Sequence, residues 1–185
     1  LGKTGFFIGR STLDDVEAYL NNKGIDYTRA GLYDKALESF SEAISLDDSN
    51  PLFHFNIALV YEHVNRLEEA VLSLNRAIKL KSENDEYWNE LGLVYYKQGE
   101  RESAERCLKQ ALKLNQNSSA AWNNLGVLNF TGGNMKDACN CFQASVKYDG
   151  ENADAWYNLA DTWEELGDRR KSYEAREQYE KRRND

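Results

Sequence analysis

The sequence predicts an all-α protein assembled as a stack of helix pairs, on three observations. Trp88, Trp122 and Trp156 recur at intervals of 34 residues, a period that signals a repeat array rather than one wound core. Each opens a similar run, because Leu91-Gly92, Leu125-Gly126 and Leu159-Ala160 follow at the same offset. In the same frame, Gly31, Asn65, Gly99, Gly133 and Gly167 all fall at the fifteenth place of a repeat. A tight turn between antiparallel helices often needs one left-handed residue, which glycine adopts freely and asparagine tolerates. Five helix-turn-helix repeats are therefore expected.

Taken in order, the chain opens with Gly2, Gly5 and Gly9 around Phe6-Phe7-Ile8, too short and glycine-rich a segment for a stable helix. Residues 1–12 are expected to be an extension, either extended or lying in a groove. Gly2-Lys3-Thr4 matches only the tail of a phosphate-binding loop and lacks the earlier glycine. Thr12 with Asp15 fits a capping box, placing the first helix start near Leu13. From Glu17 the repeats run 17–50, 51–84, 85–118, 119–152 and 153–185, all within one domain covering 13–185.

Within each repeat, the fourth, seventh, eighth and eleventh places of the first helix form a stripe at helical spacing, as in Trp88, Leu91, Gly92 and Tyr95. Small residues stand at the eighth place: Gly24, Ala58, Gly92, Gly126 and Ala160. The second helices answer with Ala36, Ala70, Ala104 and Ala138, and one turn further on with Phe40, Leu74, Leu108 and Phe142. Large and small residues on facing helices interlock at crystal-like density. In the last helix Ser172, Arg176 and Glu180 replace these apolar types, which predicts a polar cap closing the stack. Its cluster of Arg169, Arg170, Lys171, Arg176, Lys181, Arg182 and Arg183 reads as solvated surface.

Composition excludes several functions. A net charge of −8 and a pI near 4.9 argue against nucleic acid as a partner, because phosphate binding needs a basic face. No apolar run approaches the ~18 residues of a membrane span, and the chain starts without the ordered parts of a signal peptide. A cytoplasmic chain with no membrane span is expected. Cys107, Cys139 and Cys141, with His54 and His63, lack the spacing of metal or redox motifs, so no metal and no cofactor are expected. No nucleophile motif or phosphate loop occurs either, so no catalytic residue is assigned and the chain is expected not to be an enzyme.

The runs Trp88-x2-Leu91-Gly92-x2-Tyr95 and Trp122-x2-Leu125-Gly126, with Ala138-x3-Phe142, resemble the tetratricopeptide repeat (TPR) family. The likeness covers residues 17–185. Leu20 and His54 replace the tryptophan, Lys23 the leucine and Asn129 the tyrosine, and the family proline is missing from every repeat end. The resemblance implies a right-handed α-solenoid of five stacked repeats, whose first helices line a concave groove for a partner peptide.

Carrying the family geometry over puts the second, fifth, sixth, ninth, twelfth and thirteenth places in that groove. The resulting candidate peptide-binding residues are Asn22, Asn56, Phe55, Leu59, Glu86, Asn89, Glu90, Leu93, Tyr96, Asn124, Val127, Phe130, Tyr157, Asn158, Asp161 and Glu165. The sixth-place asparagines Asn22, Asn56, Asn124 and Asn158 offer donors and acceptors for a peptide backbone, and Glu90 interrupts them. The middle of the groove is apolar, and its far end is acidic through Asp154, Asp161, Glu164 and Glu165. The expected ligand is a protein segment with apolar side chains and a basic end. The basic residues of chaperone-tail-binding members of the family are absent from the matching places. Two other readings stand beside this scaffold: self-assembly as a homo-oligomer through residues 1–12 or the first repeat, and a regulatory fragment of a larger enzyme.

Overall fold

A computed structural model describes residues 10–183, and side chains from residue 15 onward. The described residues form ten helices: α1 (Arg10–Arg29), α2 (Tyr33–Leu46), α3 (Pro51–His63), α4 (Leu67–Leu80), α5 (Asp85–Lys97), α6 (Arg101–Leu114), α7 (Ser119–Thr131), α8 (Met135–Tyr148), α9 (Ala153–Glu165) and α10 (Arg169–Arg183). They pair in sequence into the five expected repeats. At each within-repeat turn the backbone goes left-handed at the anticipated residue: φ is +71° at Gly31, +60° at Asn65, +81° at Gly99, +79° at Gly133 and +79° at Gly167.

Between repeats, short polar side chains start the next helix. Asn50 and Asn84 accept from the backbone N–H two residues on, and Ser118 and Asn152 from the N–H three residues on, each satisfying one orphan donor of a helix N-terminus. The first helix differs from expectation. It already includes Arg10, the first described residue, so Thr12 lies inside it instead of capping it at Leu13. Arg10, Ser11 and Thr12 include no helix breaker, and the hydrogen-bonded ladder runs on through them. The Phe6-Phe7-Ile8 segment, invoked for a groove-bound extension or self-assembly, lies outside the described residues.

The chain divides into two compact units, Leu1–Ser82 and Glu83–Asp185. In the first, α1 packs on α2, α2 on α3 and α3 on α4, around Ala36, Phe40, Ile57 and Val60 and a second cluster of Leu20, Ala43 and Phe53. In the second, consecutive helices pack likewise from α5 to α10. One core there joins Leu108, Leu125 and Leu128, and another joins Phe142, Leu159 and Ala160.

The small eighth places do what their size suggests. A Cβ built on Gly24 would lie 2.6 Å from Phe40 Cε1, one on Gly126 2.5 Å from Phe142 Cε1, and one on Gly92 2.8 Å from Leu108 Cγ. Glycine faces phenylalanine in the first and fourth repeats. The matching places of the second hold Ala58 and Leu74, both buried.

The tryptophans are not the deepest residues of the stripe. Trp88, Trp122 and Trp156 are half-buried, and in the second to fifth repeats the third and tenth places are buried instead, as Phe53 and Val60, Tyr87 and Val94, Ala121 and Leu128, Ala155 and Thr162. The ring at the fourth place braces the loop before its repeat. Trp122 Nε1–H donates to the Gln116 carbonyl at 2.8 Å and Trp156 Nε1–H to the Gly150 carbonyl at 2.8 Å. His54, the apparent exception, holds Nε2 2.9 Å from the Asp48 carbonyl. A carbonyl can only accept, so this nitrogen carries the proton. Histidine thus replaces tryptophan while keeping the same loop-bracing bond.

Candidate functional site

In each unit the first helices of neighbouring repeats touch one another, α1 with α3 in the first unit and α5 with α7 and α7 with α9 in the second, with no comparable contact between second helices. The first helices therefore form one continuous face per unit, on which the candidate residues lie. Their asparagines bond mainly to each other across repeats. Asn56 Nδ2 donates to Asn21 Oδ1 at 2.8 Å, Asn124 Nδ2 to Asn89 Oδ1 at 3.0 Å, and Asn158 Nδ2 to Asn123 Oδ1 at 3.0 Å. Each sixth-place carboxamide thus points one N–H at the fifth-place carboxamide of the preceding repeat. Asn21 and Asn123 were not among the candidates, although the 35-residue offset in all three pairs is a sequence signal for them. Asn22 is exposed.

In the first unit Phe55, Leu59 and Asn56 are half-buried. In the second, Asn89, Glu90, Leu93, Tyr96, Asn124, Val127, Phe130, Asn158 and Asp161 are half-buried, and Glu86, Tyr157 and Glu165 are exposed. Four of these come together. Val127, Phe130, Asn158 and Asp161, with Phe142 as floor, line a pocket of about 60 Å³. Phe142 is 1% exposed and reaches this face from α8. Its position on a second helix hid it from a search of first-helix places. Val127 and Phe130 also pack on the core around Phe142 and Leu159, so the pocket walls are held by the fold itself.

The acidic end is partly neutralised from within. Arg176 on α10 bonds Asp161 at 3.0 Å and Glu164 at 2.6 Å, and the Glu164 hydrogen bond is the leading reason that its own pKa is raised. Tyr157, 44% exposed, meets Tyr179 edge-on with ring centroids 5.3 Å apart. Asp154 and Glu165 remain exposed.

The three cysteines are free and buried. Burial pushes the Cys107 and Cys141 thiols up to about 11 and raises that of Cys139, which keeps all three protonated and poorly nucleophilic near neutral pH. Among the described residues, no group of three or more His, Cys, Asp or Glu is placed to hold a metal ion. No described helix is long and apolar enough to cross a membrane.

Known structures share this architecture. MamA from Desulfovibrio magneticus RS-1 superposes with a TM-score of 0.75 at 16% identity, over 92% of this chain and 96% of that one. PilF from Pseudomonas aeruginosa gives 0.84 at 19% identity, over 92% and 78%. YrrB, described as a TPR protein with an unusual peptide-binding site, gives 0.64 at 25% identity, over 90% and 86%. No curated protein sequence matches the chain significantly. Residues 24–63 match a TPR repeat model. Residues 58–183 match the middle TPR-like domain of cilia and flagella-associated protein 70, and the chain belongs to that family.

Proposed function

We propose that the chain is a non-catalytic scaffold that holds an extended peptide on the first-helix face of repeats three to five. An apolar side chain would sit in the Val127, Phe130 and Phe142 pocket, and a basic residue would lie beyond it. The observation that carries this reading is the pocket itself, which joins an apolar floor to a rim of one carboxamide, Asn158, and one carboxylate, Asp161. Such a site takes apolar anchors and orients them through few polar groups.

The carboxamide pairs support the same reading. Each interrepeat bond uses one N–H and one oxygen, and an asparagine has two of each hydrogen-bonding capacity. Acceptor and donor capacity therefore remains for a peptide backbone. The exposed Asp154 and Glu165, with the net acidity of the chain, favour a basic segment by charge complementarity. TPR-family membership makes the chain a protein-interaction scaffold, and YrrB supplies a structural precedent for a peptide ligand. The family's name directs the search for a partner to cilia and flagella, and a cytoplasmic setting belongs to the same reading.

The test is a titration with a fluorescent peptide carrying one leucine two residues before an arginine. Phe130→Ala and Tyr96→Ala are each expected to weaken binding by ~1–2 kcal/mol, with far-UV circular dichroism confirming that the variants stay folded. Unchanged affinity in both folded variants contradicts the assignment.

A further inference from the structure

The last helix departs from its four counterparts at a packed position, and the departure places a serine directly after three cations. We propose that Ser172 is a phosphorylation site for a protein kinase that reads arginines before its target, and that phosphate there releases α10 from α9. In the other repeats this twentieth place holds Ala36, Ala70, Ala104 and Ala138, all fully buried, and Ser172 itself is only 5% exposed. The place lies against the first helix of its own repeat, since a Cβ on Gly92 would come within 3.3 Å of the Ala104 carbonyl oxygen. A seam this tight has no room for a phosphate. The group would bring about −1.5 to −2 charges, and Asp168, one turn back, already carries a carboxylate that the Lys171 backbone N–H holds in its ionised form.

Recognition depends on Arg169 and Arg170. Both are exposed and stand three and two residues before the hydroxyl, where an acidic kinase groove can pair with them. Access depends on local opening, and α10 buries few residues around Ser172. It buries only Ser172 and Ala175, whereas α6 and α8 each bury five residues. Around Ser172 its other ties are the exposed Arg176 ion pairs and the stacking of Lys171 Nζ 4.0 Å from the Trp163 ring centre, while its far end is held by Tyr179 edge-on to Tyr157 and by Arg182, which donates to the Gly150 carbonyl and lies over the Trp156 ring. Exposed ion pairs contribute little, and thinly buried segments open at lower free energy than the core.

The chemistry is ordinary phosphoryl transfer. Ser172 Oγ attacks the γ-phosphorus of ATP and forms a new P–O ester bond. The bond to the β–γ bridging oxygen breaks, ADP leaves with its electron pair, and the hydroxyl proton passes to a base of the kinase. Once α10 is released, Arg176 leaves Asp161 and Glu164, and Ala175 leaves the core around Phe142 and Leu159. Phosphate would thereby change the charge at the acidic end of the first-helix face.

The experiment incubates the full chain with magnesium-ATP and the catalytic subunit of cAMP-dependent protein kinase, maps the phosphate by mass spectrometry, and follows amide exchange. The expected result is phosphate on Ser172, at least about tenfold less when Arg169 and Arg170 are both alanine, and α10 amides exchanging at least about tenfold faster in the phosphorylated protein while α5–α8 keep their protection. Ser172→Ala should keep α10 docked and take up no phosphate there. Arg176→Ala should speed incorporation by loosening α10. An unmodified Ser172, incorporation indifferent to the two arginines, or a phosphorylated protein with unchanged α10 protection would each overturn the proposal.

Discussion

Phe142→Ala is expected to cost about 3–5 kcal/mol of folding stability, among the largest losses available in this chain. The ring is 1% exposed, meets Gly126 across the α7–α8 seam and floors the pocket. Truncation leaves a cavity on a seam whose glycine has no side chain with which to fill it. Trp122→Ala should cost less despite the larger ring, because Trp122 is half-buried and its loop carbonyl partner can turn to water. Chemical denaturation of the two variants, followed by circular dichroism, measures both. A Trp122→Ala loss equal to or above that of Phe142→Ala contradicts the burial described for the fourth place. In a repeat array the damage should stay with the affected neighbours, so amide protection in α1–α4 is expected to change little.

Gly126→Ala is expected to destabilise by ~1–3 kcal/mol through overpacking, even though alanine favours a helix over glycine by ~1 kcal/mol. The added Cβ would meet three carbons of the Phe142 ring at 2.5–2.9 Å, and a ring this buried cannot turn aside. Combining it with Phe142→Leu should recover much of the loss, because alanine and leucine are the residues that hold the matching places of the second repeat, at Ala58 and Leu74. The pair is thus expected to couple favourably by ~1–2 kcal/mol in a double-mutant cycle. Losses that add within ~0.5 kcal/mol, as for distant sites, would show that the two residues do not share the seam.

What the sequence reveals and what it hides follow from one geometric fact. A repeat period shows which residues share a helix face. It does not show how far that face is turned into the core, and neighbouring places differ by ~100° around the helix. The turn residues were legible because positive φ is a local requirement with few solutions, glycine first and asparagine second. The small eighth places were legible because residue size alone limits close approach. The tryptophans misled, since their size and recurrence suggest burial whereas their indole N–H groups reach loop carbonyls. That His54 keeps the tryptophan's loop-bracing bond is visible only in its contact with the Asp48 carbonyl.

The candidate site divides similarly. That Val127, Phe130, Asn158 and Asp161 share one face was legible from their places on first helices. Phe142 and Arg176 were not, because each reaches the site from a second helix. The pairing of carboxamides across repeats, and the partial neutralisation of Asp161 and Glu164 by Arg176, depend on side-chain distances that no residue pattern encodes.

The central claim is that a peptide ligand lies on the first-helix face of repeats three to five, anchored in the pocket over Phe142. Chemical-shift mapping on isotope-labelled protein during titration with the leucine–arginine peptide tests it most directly. The account predicts saturable shifts at Val127, Phe130, Asn158 and Asp161, lost when the leucine of the peptide is replaced by glycine. Shifts confined to the outer faces of α6 and α8, or shifts that persist without the leucine, would contradict it.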